Sequence, residues 1–273
     1  MTAAPPAGPR IERHDYAYGP HPSQFVRLLL PGGPHLSVAI ILHGGFWRER
    51  HGAETVAPLA ADLVRFGVAA AVVEYRRIGA VTSGGGWPTT LADVARAVDS
   101  LATTGQRLAD GRLDLARVAV IGHSAGGHLA AWLTHRPALR HGTAGSVGPA
   151  TAWVPVTGAV ALAGLLDLVA ASDEDLGGGA AAALLGGPAR SVPQRYDHAS
   201  PLAHVGDGAR VVCVHGDADR VVPISQSLTY AAAALAAGDP ARMIVVPGAD
   251  HADLVEVGSP AWETGRDELL RML

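Results

Sequence analysis

Residues 118–133, VAVIGHSAGGHLAAWL, run from an unbroken apolar segment through a cluster of glycines into apolar residues spaced at three and four. A buried strand that turns sharply into a helix is the unit of an α/β fold, and one serine, Ser124, stands at the turn. Gly122-His123-Ser124-Ala125-Gly126 fits G-x-S-x-G, the strained strand-to-helix turn that lifts a serine hydroxyl above a sheet, with glycines where the backbone leaves no room for side chains. The competing reading is a glycine-rich βα loop whose serine only caps the helix that follows. The strand and helix around the motif are those the nucleophile turn requires, and they favour the first reading.

The same alternation extends outward from this segment. Short apolar runs at FVRLLL, LSVAIILH, GVAAAVVEY, WVPVTGAVAL, ARVVCVHG and RMIVVPG read as strands, several of them apolar throughout, as strands buried on both faces are. AETVAPLAADLVRFG, TTLADVARAVDSLA, SQSLTYAAAALAAG and AWETGRDELLRML carry helical spacing between or after them. A mostly parallel central sheet flanked by helices follows. Residues 163–208 break the alternation with helical pieces and Gly/Pro punctuation, which predicts a short helical insertion over the active-site end of the sheet. Residues 1–20, rich in Pro, Gly and His, read as a flexible N-terminal arm that could add an edge strand around IERHDYAY, and 21–273 as a single domain.

Composition narrows the class. The chain has 273 residues, 48% of them hydrophobic, enough for a large core in one α/β domain. Its 25 acidic and 21 basic residues are spread without runs, so neither nucleic acid nor an anionic membrane surface is an expected partner, and small neutral or weakly charged molecules are. No secretory signal or membrane-spanning run is legible, which leads us to expect a cytoplasmic protein. The single cysteine, Cys213, sits in an apolar run as a buried, inert side chain. Thirteen histidines invite a metal reading, but no HExxH or paired Cys/His spacing occurs, so neither metal nor cofactor is expected. Oligomeric state is not legible.

A serine hydroxyl is hardly ionised at neutral pH and needs a base, which in turn needs an orienting carboxylate. His251 lies just past the last apolar strand run, and Asp217 and Asp219 just past the one before it. In open α/β sheets such positions face the ligand crevice. Position alone does not separate the two aspartates.

With these residues in view, the chain from about residue 20 to its end resembles an α/β-hydrolase, and HGGFW at 43–47 with GHSAGGHLA resembles the esterase and arylformamidase (kynurenine formamidase-like) branch. The resemblance implies a triad of Ser124, His251 and Asp219, the acid because His215 to Pro223 matches HGxxDxxVP. It also implies an oxyanion hole from the N–H groups of Gly45, Phe46 and Ala125, with Phe46 where the family often has glycine or tyrosine. The expected reaction is hydrolysis of carboxylic esters with small acyl and apolar leaving groups through an acyl-enzyme. The alternative is cleavage of formamides such as N-formylkynurenine, and the alternative of another class is a binding protein that keeps the fold without catalysis. A peptidase fits less well, because the chain is too short for a large accessory domain that restricts entry.

Trp47 and Trp87, on loops after strands, and Tyr196, in the insertion, are the expected substrate-binding wall, although buried packing accounts for the two tryptophans equally well. Leu165 and the DEDLGGG turn are further candidates for lining or gating the site, with solvated surface the simpler reading of the acidic turn. His43 and His123 flank the proposed site and are the histidines expected to meet substrate. Arg76 and Arg77 follow a strand, where a structural ion pair with Asp93 is favoured over a substrate contact.

Overall fold

A computed structural model describes residues 11–79, 84–148 and 153–273. Its centre is an eight-stranded sheet, with β1 (Glu12–Ala17), β2 (Phe25–Leu30), β3 (Leu36–Leu42), β4 (Ala69–Glu74), β5 (Leu113–His123), β6 (Ala159–Leu162), β7 (Val211–Gly216) and β8 (Arg242–Val246) in the spatial order β1-β2-β4-β3-β5-β6-β7-β8. Pairing from β4 through β8 is parallel, and β1 and β2 add an antiparallel edge. The runs apolar throughout became the inner strands, β3, β4 and β7, in which every residue is buried.

Helices cover both faces: α1 (Ala57–Val64), α2 (Thr89–Asp99), α3 (Thr104–Leu108), α4 (Ala125–Thr134), α5 (Leu168–Asp173), α6 (Ala180–Leu185), α7 (Pro193–Ala199), α8 (Ser225–Ala237) and α9 (Pro260–Leu270). Alternation along β3 assigns its side chains to two cores. Val38, Ile40 and Leu42 pack with Val94 of α2, Leu129 and Trp132 of α4 and Tyr230 of α8. Ala39 and Ile41 pack with Leu59 and Leu63 of α1 and Trp262 and Leu269 of α9.

The edge strand anticipated around IERHDYAY forms, and one strand begins later than expected. Residues 1–10 of the N-terminal arm lie outside the described residues, but 12–17 form β1, paired from Glu12 opposite Leu30 to Ala17 opposite Phe25. Tyr16 pins this strand, buried against the core with its hydroxyl 3.1 Å from Ser100 Oγ. The sixth strand begins at Ala159 instead of Trp153; Pro155 upstream has no N–H to give to a ladder. The stretch 163–208 carries α5, α6 and α7 between β6 and β7.

Candidate active site

β5 ends at His123 and α4 begins at Ala125, so Ser124 alone makes the turn, at φ 57° and ψ −119°. That backbone is costly for a residue with a Cβ and persists only where the surroundings fix it. Here they do. The Ser124 N–H donates to the carbonyl of Leu162 at 2.8 Å, and the Ser124 carbonyl accepts from His128 N–H at 3.1 Å. The flanking glycines are required by contact: a Cβ on Gly122 would lie 2.1 Å from the carbonyl oxygen of Gly126, and one on Gly126 would lie 2.2 Å from that of Leu42.

The 43–48 loop that follows β3 is strained as well. Gly45, Phe46 and Trp47 have φ of 105°, 51° and 54° in succession, and each neighbour braces them. His43 stacks on Tyr75 and its Nδ1–H donates to the Gly44 carbonyl at 2.9 Å, which turns the Gly45 N–H the opposite way because C=O and N–H are antiparallel across a trans peptide. The Arg48 guanidinium donates to the carbonyls of Gly177 and Gly178 at 2.7 and 2.9 Å, and Phe46 packs against Gly177. The DEDLGGG turn, expected to be solvated surface, thus ties the insertion to this loop. The N–H groups of Gly45, Phe46 and Ala125 are not taken up by any carbonyl among the described residues.

Ser124 and His251 line one cavity of about 280 Å³, with His123, Gly44, Gly45 and Phe46 beside them. His251 Nδ1 donates to Asp219 Oδ2 at 2.7 Å. A carboxylate only accepts, so this tautomer leaves Nε2 with a lone pair. The Asp219 carboxylate is almost fully buried, and its other oxygen accepts from the N–H groups of Val221 and Val222 at 2.8 and 3.0 Å. Burial pushes its pKa up, but the bonds from His215 and His251 and from those two N–H groups outweigh this and hold the carboxyl well below the usual carboxylate range. Asp217 faces elsewhere, accepting from Gly248 N–H at 2.6 Å. Among the described residues Ser124 Oγ makes no hydrogen bond to His251; such bonds often close only when substrate is bound.

His123 adds a second contact to the base. Its Nε2–H donates to the His251 carbonyl at 2.9 Å and the two rings lie 4.3 Å apart. Burial first, then the neighbouring His251, lower its pKa to about 3, so a neutral ring backs the base. His128 is buried beneath the 43–48 loop, donating from Nε2 to the Ala199 carbonyl at 2.9 Å and accepting from Trp47 Nε1–H at 3.2 Å, and burial lowers its pKa to about 4.

These two imidazoles set an acid limit on the fold. The unfolded chain protonates each near pH 6.5 and the folded chain does not, so below that pH the unfolded state binds more protons. Stability is therefore expected to decline as pH falls from about 6.5 toward about 4, by up to about 1.4 kcal/mol per pH unit for each histidine. The urea midpoint should drop between neutral pH and pH ~5, and His128→Gln should make that drop shallower. A wild-type midpoint unchanged over that interval would contradict the burial argument.

The residues expected to form the substrate wall sit elsewhere. Trp47 is fully buried against His128, Trp87 is half-buried with its ring edge-on to His198 at 5.0 Å, and Tyr196 is buried with its hydroxyl donating to the Gly187 carbonyl at 3.1 Å. None of the three lines the cavity, and neither does the buried Leu165. Arg76 pairs in two-pronged fashion with buried Asp93, both bonds at 2.8 Å, and Arg77 pairs with Glu74. The wall is instead made by Val221, Ala252 and Val255, from the loops after β7 and β8, and by Arg50, His51, Thr55 and Val56, from the segment after β3. The signal for these was proximity: they follow HGGFW, Asp219 or His251 within a few residues.

Comparison with known proteins places the fold. Residues 31–233 match the family model described as BD-FAE. No curated protein matches the chain in sequence. A truncated carbohydrate esterase from gut microbiota superposes with a TM-score of 0.80 at 22% identity, covering 96% of each chain. A thermophilic esterase from Thermogutta terrifontis, solved with propionate, gives 0.74 at 20% identity, covering 96% of this chain and 93% of its own. An acetyl ester-xyloside bifunctional hydrolase from Caldicellulosiruptor lactoaceticus gives 0.70 at 23% identity, covering 90% and 86%.

Proposed function

Because the chain belongs to the BD-FAE family, an esterase domain of the α/β-hydrolase type, we propose that it cleaves small-acyl carboxylic esters with Ser124 as nucleophile, His251 as base and Asp219 as the acid that orients it. The observation that carries the reading is the 2.7 Å bond from His251 Nδ1 to buried Asp219, at a cavity shared with a serine on a strained strand-to-helix turn.

Ser124 Oγ adds to the ester carbonyl carbon while its proton passes to His251 Nε2. The carbonyl oxygen takes the negative charge, and the N–H groups of Gly45, Phe46 and Ala125 are the donors for it, a stabilisation of about 3 kcal/mol for a good donor. Collapse breaks the bond to the alkoxy oxygen, which leaves with the proton held by His251. Water then gives a proton to His251 and adds to the acyl-enzyme; the second collapse releases the acid and returns the proton to Ser124. Asp219 stays ionised throughout and stabilises the imidazolium.

A cavity of about 280 Å³ walled by Phe46, Val56, Val221 and Val255 suits a short acyl chain. Names of two structural neighbours, a carbohydrate esterase and an acetyl ester-xyloside hydrolase, add an acetylated sugar to the substrates worth measuring. The test is kcat/KM for p-nitrophenyl acetate, butyrate and palmitate, an acetylated xyloside and N-formylkynurenine. Acetate or butyrate is expected to exceed palmitate by at least about a hundredfold, since a long chain has no wall to bury against. Preference for palmitate would overturn the small-acyl reading, formamide cleavage matching the best ester would make this a formamidase, and no hydrolysis at all would return the binding-protein reading.

A further inference from the structure

The cavity wall carries an uneven charge. Among the described residues no Asp or Glu lines it, and Arg50 is its one formally charged side chain apart from the imidazoles. The neighbouring arginines are committed elsewhere: Arg48 to the Gly177 and Gly178 carbonyls, Arg76 to Asp93, and Arg77 to Glu74 and the His51 carbonyl. Arg50 is exposed and has no ion pair or hydrogen-bonded partner among the described residues. The backbone that presents it is fixed on both sides, by the Arg48 anchor before it and by the Arg77 bond to His51 after it. The protein as a whole carries a formal charge of −4, so an anion held at this site is not drawn there by the net charge.

We infer that the esters this site selects carry an anionic oxygen group, a carboxylate or a phosphate, on the part of the substrate that reaches the cavity mouth, and that Arg50 recognises it. A guanidinium fork matches both groups in bidentate geometry. Val56, Val221 and Val255 line the same cavity with apolar side chains, and an apolar surround strengthens the attraction over that of a fully solvated pair. The inference rests on the ester-hydrolase reading above. It makes Arg50 a determinant of specificity, outside the bond-breaking steps.

The experiment compares three aryl acetates with one acyl group: 4-acetoxybenzoate, 4-acetoxyphenyl phosphate and neutral 4-acetoxybenzamide, on the wild type, Arg50→Gln and Arg50→Lys. The readout is the ratio of kcat/KM for each anion to that for the amide, so differences in leaving group and any general loss of activity cancel between enzymes. Arg50→Gln is expected to lower at least one anion ratio about tenfold, the weight of one charge-assisted pair at a partly exposed site, and Arg50→Lys to keep part of it. Raising salt to about 0.5 M should lower the wild-type ratio in the same direction. The arm that responds tells carboxylate from phosphate. Hydrolysis of all three acetates with ratios that neither substitution nor salt moves would overturn the role of Arg50 and leave the esterase reading standing; wild type inert toward every acetate would overturn both.

Discussion

Ser124→Ala is expected to reduce kcat for p-nitrophenyl acetate by several orders of magnitude, toward the loss of about 10⁶ seen where nucleophile and base act as a unit. The fold should survive the change. Alanine keeps the Cβ that the turn already accommodates at φ 57°, and the backbone bonds to Leu162 and from His128 do not involve the hydroxyl. What is lost is one oxygen at the cavity floor. His251→Ala should be about as severe, and the double variant scarcely worse, because neither group can act without the other. A preparation of Ser124→Ala free of wild type that kept even a tenth of the activity would remove Ser124 as the nucleophile.

Asp219→Asn is expected to cost about 10⁴ in kcat, as loss of the orienting acid does in another serine triad, and Asp217→Asn far less. The hydrogen bonds say why an isostere is so damaging. The N–H groups of Val221 and Val222, which donate to Asp219 Oδ1, need an acceptor there and hold the oxygen of the new amide, so the amide nitrogen must take the position of Oδ2. There it faces His251 Nδ1 as a donor, forces the proton onto Nε2, and leaves the base with nothing to accept Ser124's proton. Among the described residues the Asp217 carboxylate accepts only from the Gly248 N–H, at its Oδ1, a contact an asparagine oxygen keeps. Reversed magnitudes would make Asp217 the acid.

Much of the architecture was legible because its signals are local. Continuous apolar runs marked β3, β4 and β7, and a strand, glycines and helical spacing around Ser124 marked the turn between β5 and α4. Chain order and the residues after each strand pointed to His251 and to two aspartates, of which Asp219 bonds His251 and Asp217 bonds the Gly248 N–H. The cavity wall was not legible in this way. Trp47 follows Phe46 directly, yet Phe46 lines the cavity while Trp47 turns into the core to meet His128, and that choice is made by α4 and the insertion, far away in sequence. Tyr196 is likewise claimed by a carbonyl of its own insertion. Arg50 passed unnoticed because a lone arginine in a polar loop has no pattern; it stands out only once Arg48, Arg76 and Arg77 are seen to be paired.

Whether Ser124 is an activated nucleophile is measured most directly by reaction of the folded protein with a fluorophosphonate probe followed by peptide mass spectrometry. A serine hydroxyl attacks the probe's phosphorus and displaces fluoride only when a neighbouring base takes its proton, so labelling reports the Ser124, His251 and Asp219 arrangement as a whole. One adduct is expected, on the peptide that contains Ser124, absent from Ser124→Ala and from urea-unfolded wild type. No adduct on folded protein, or an adduct on a different serine, would contradict it.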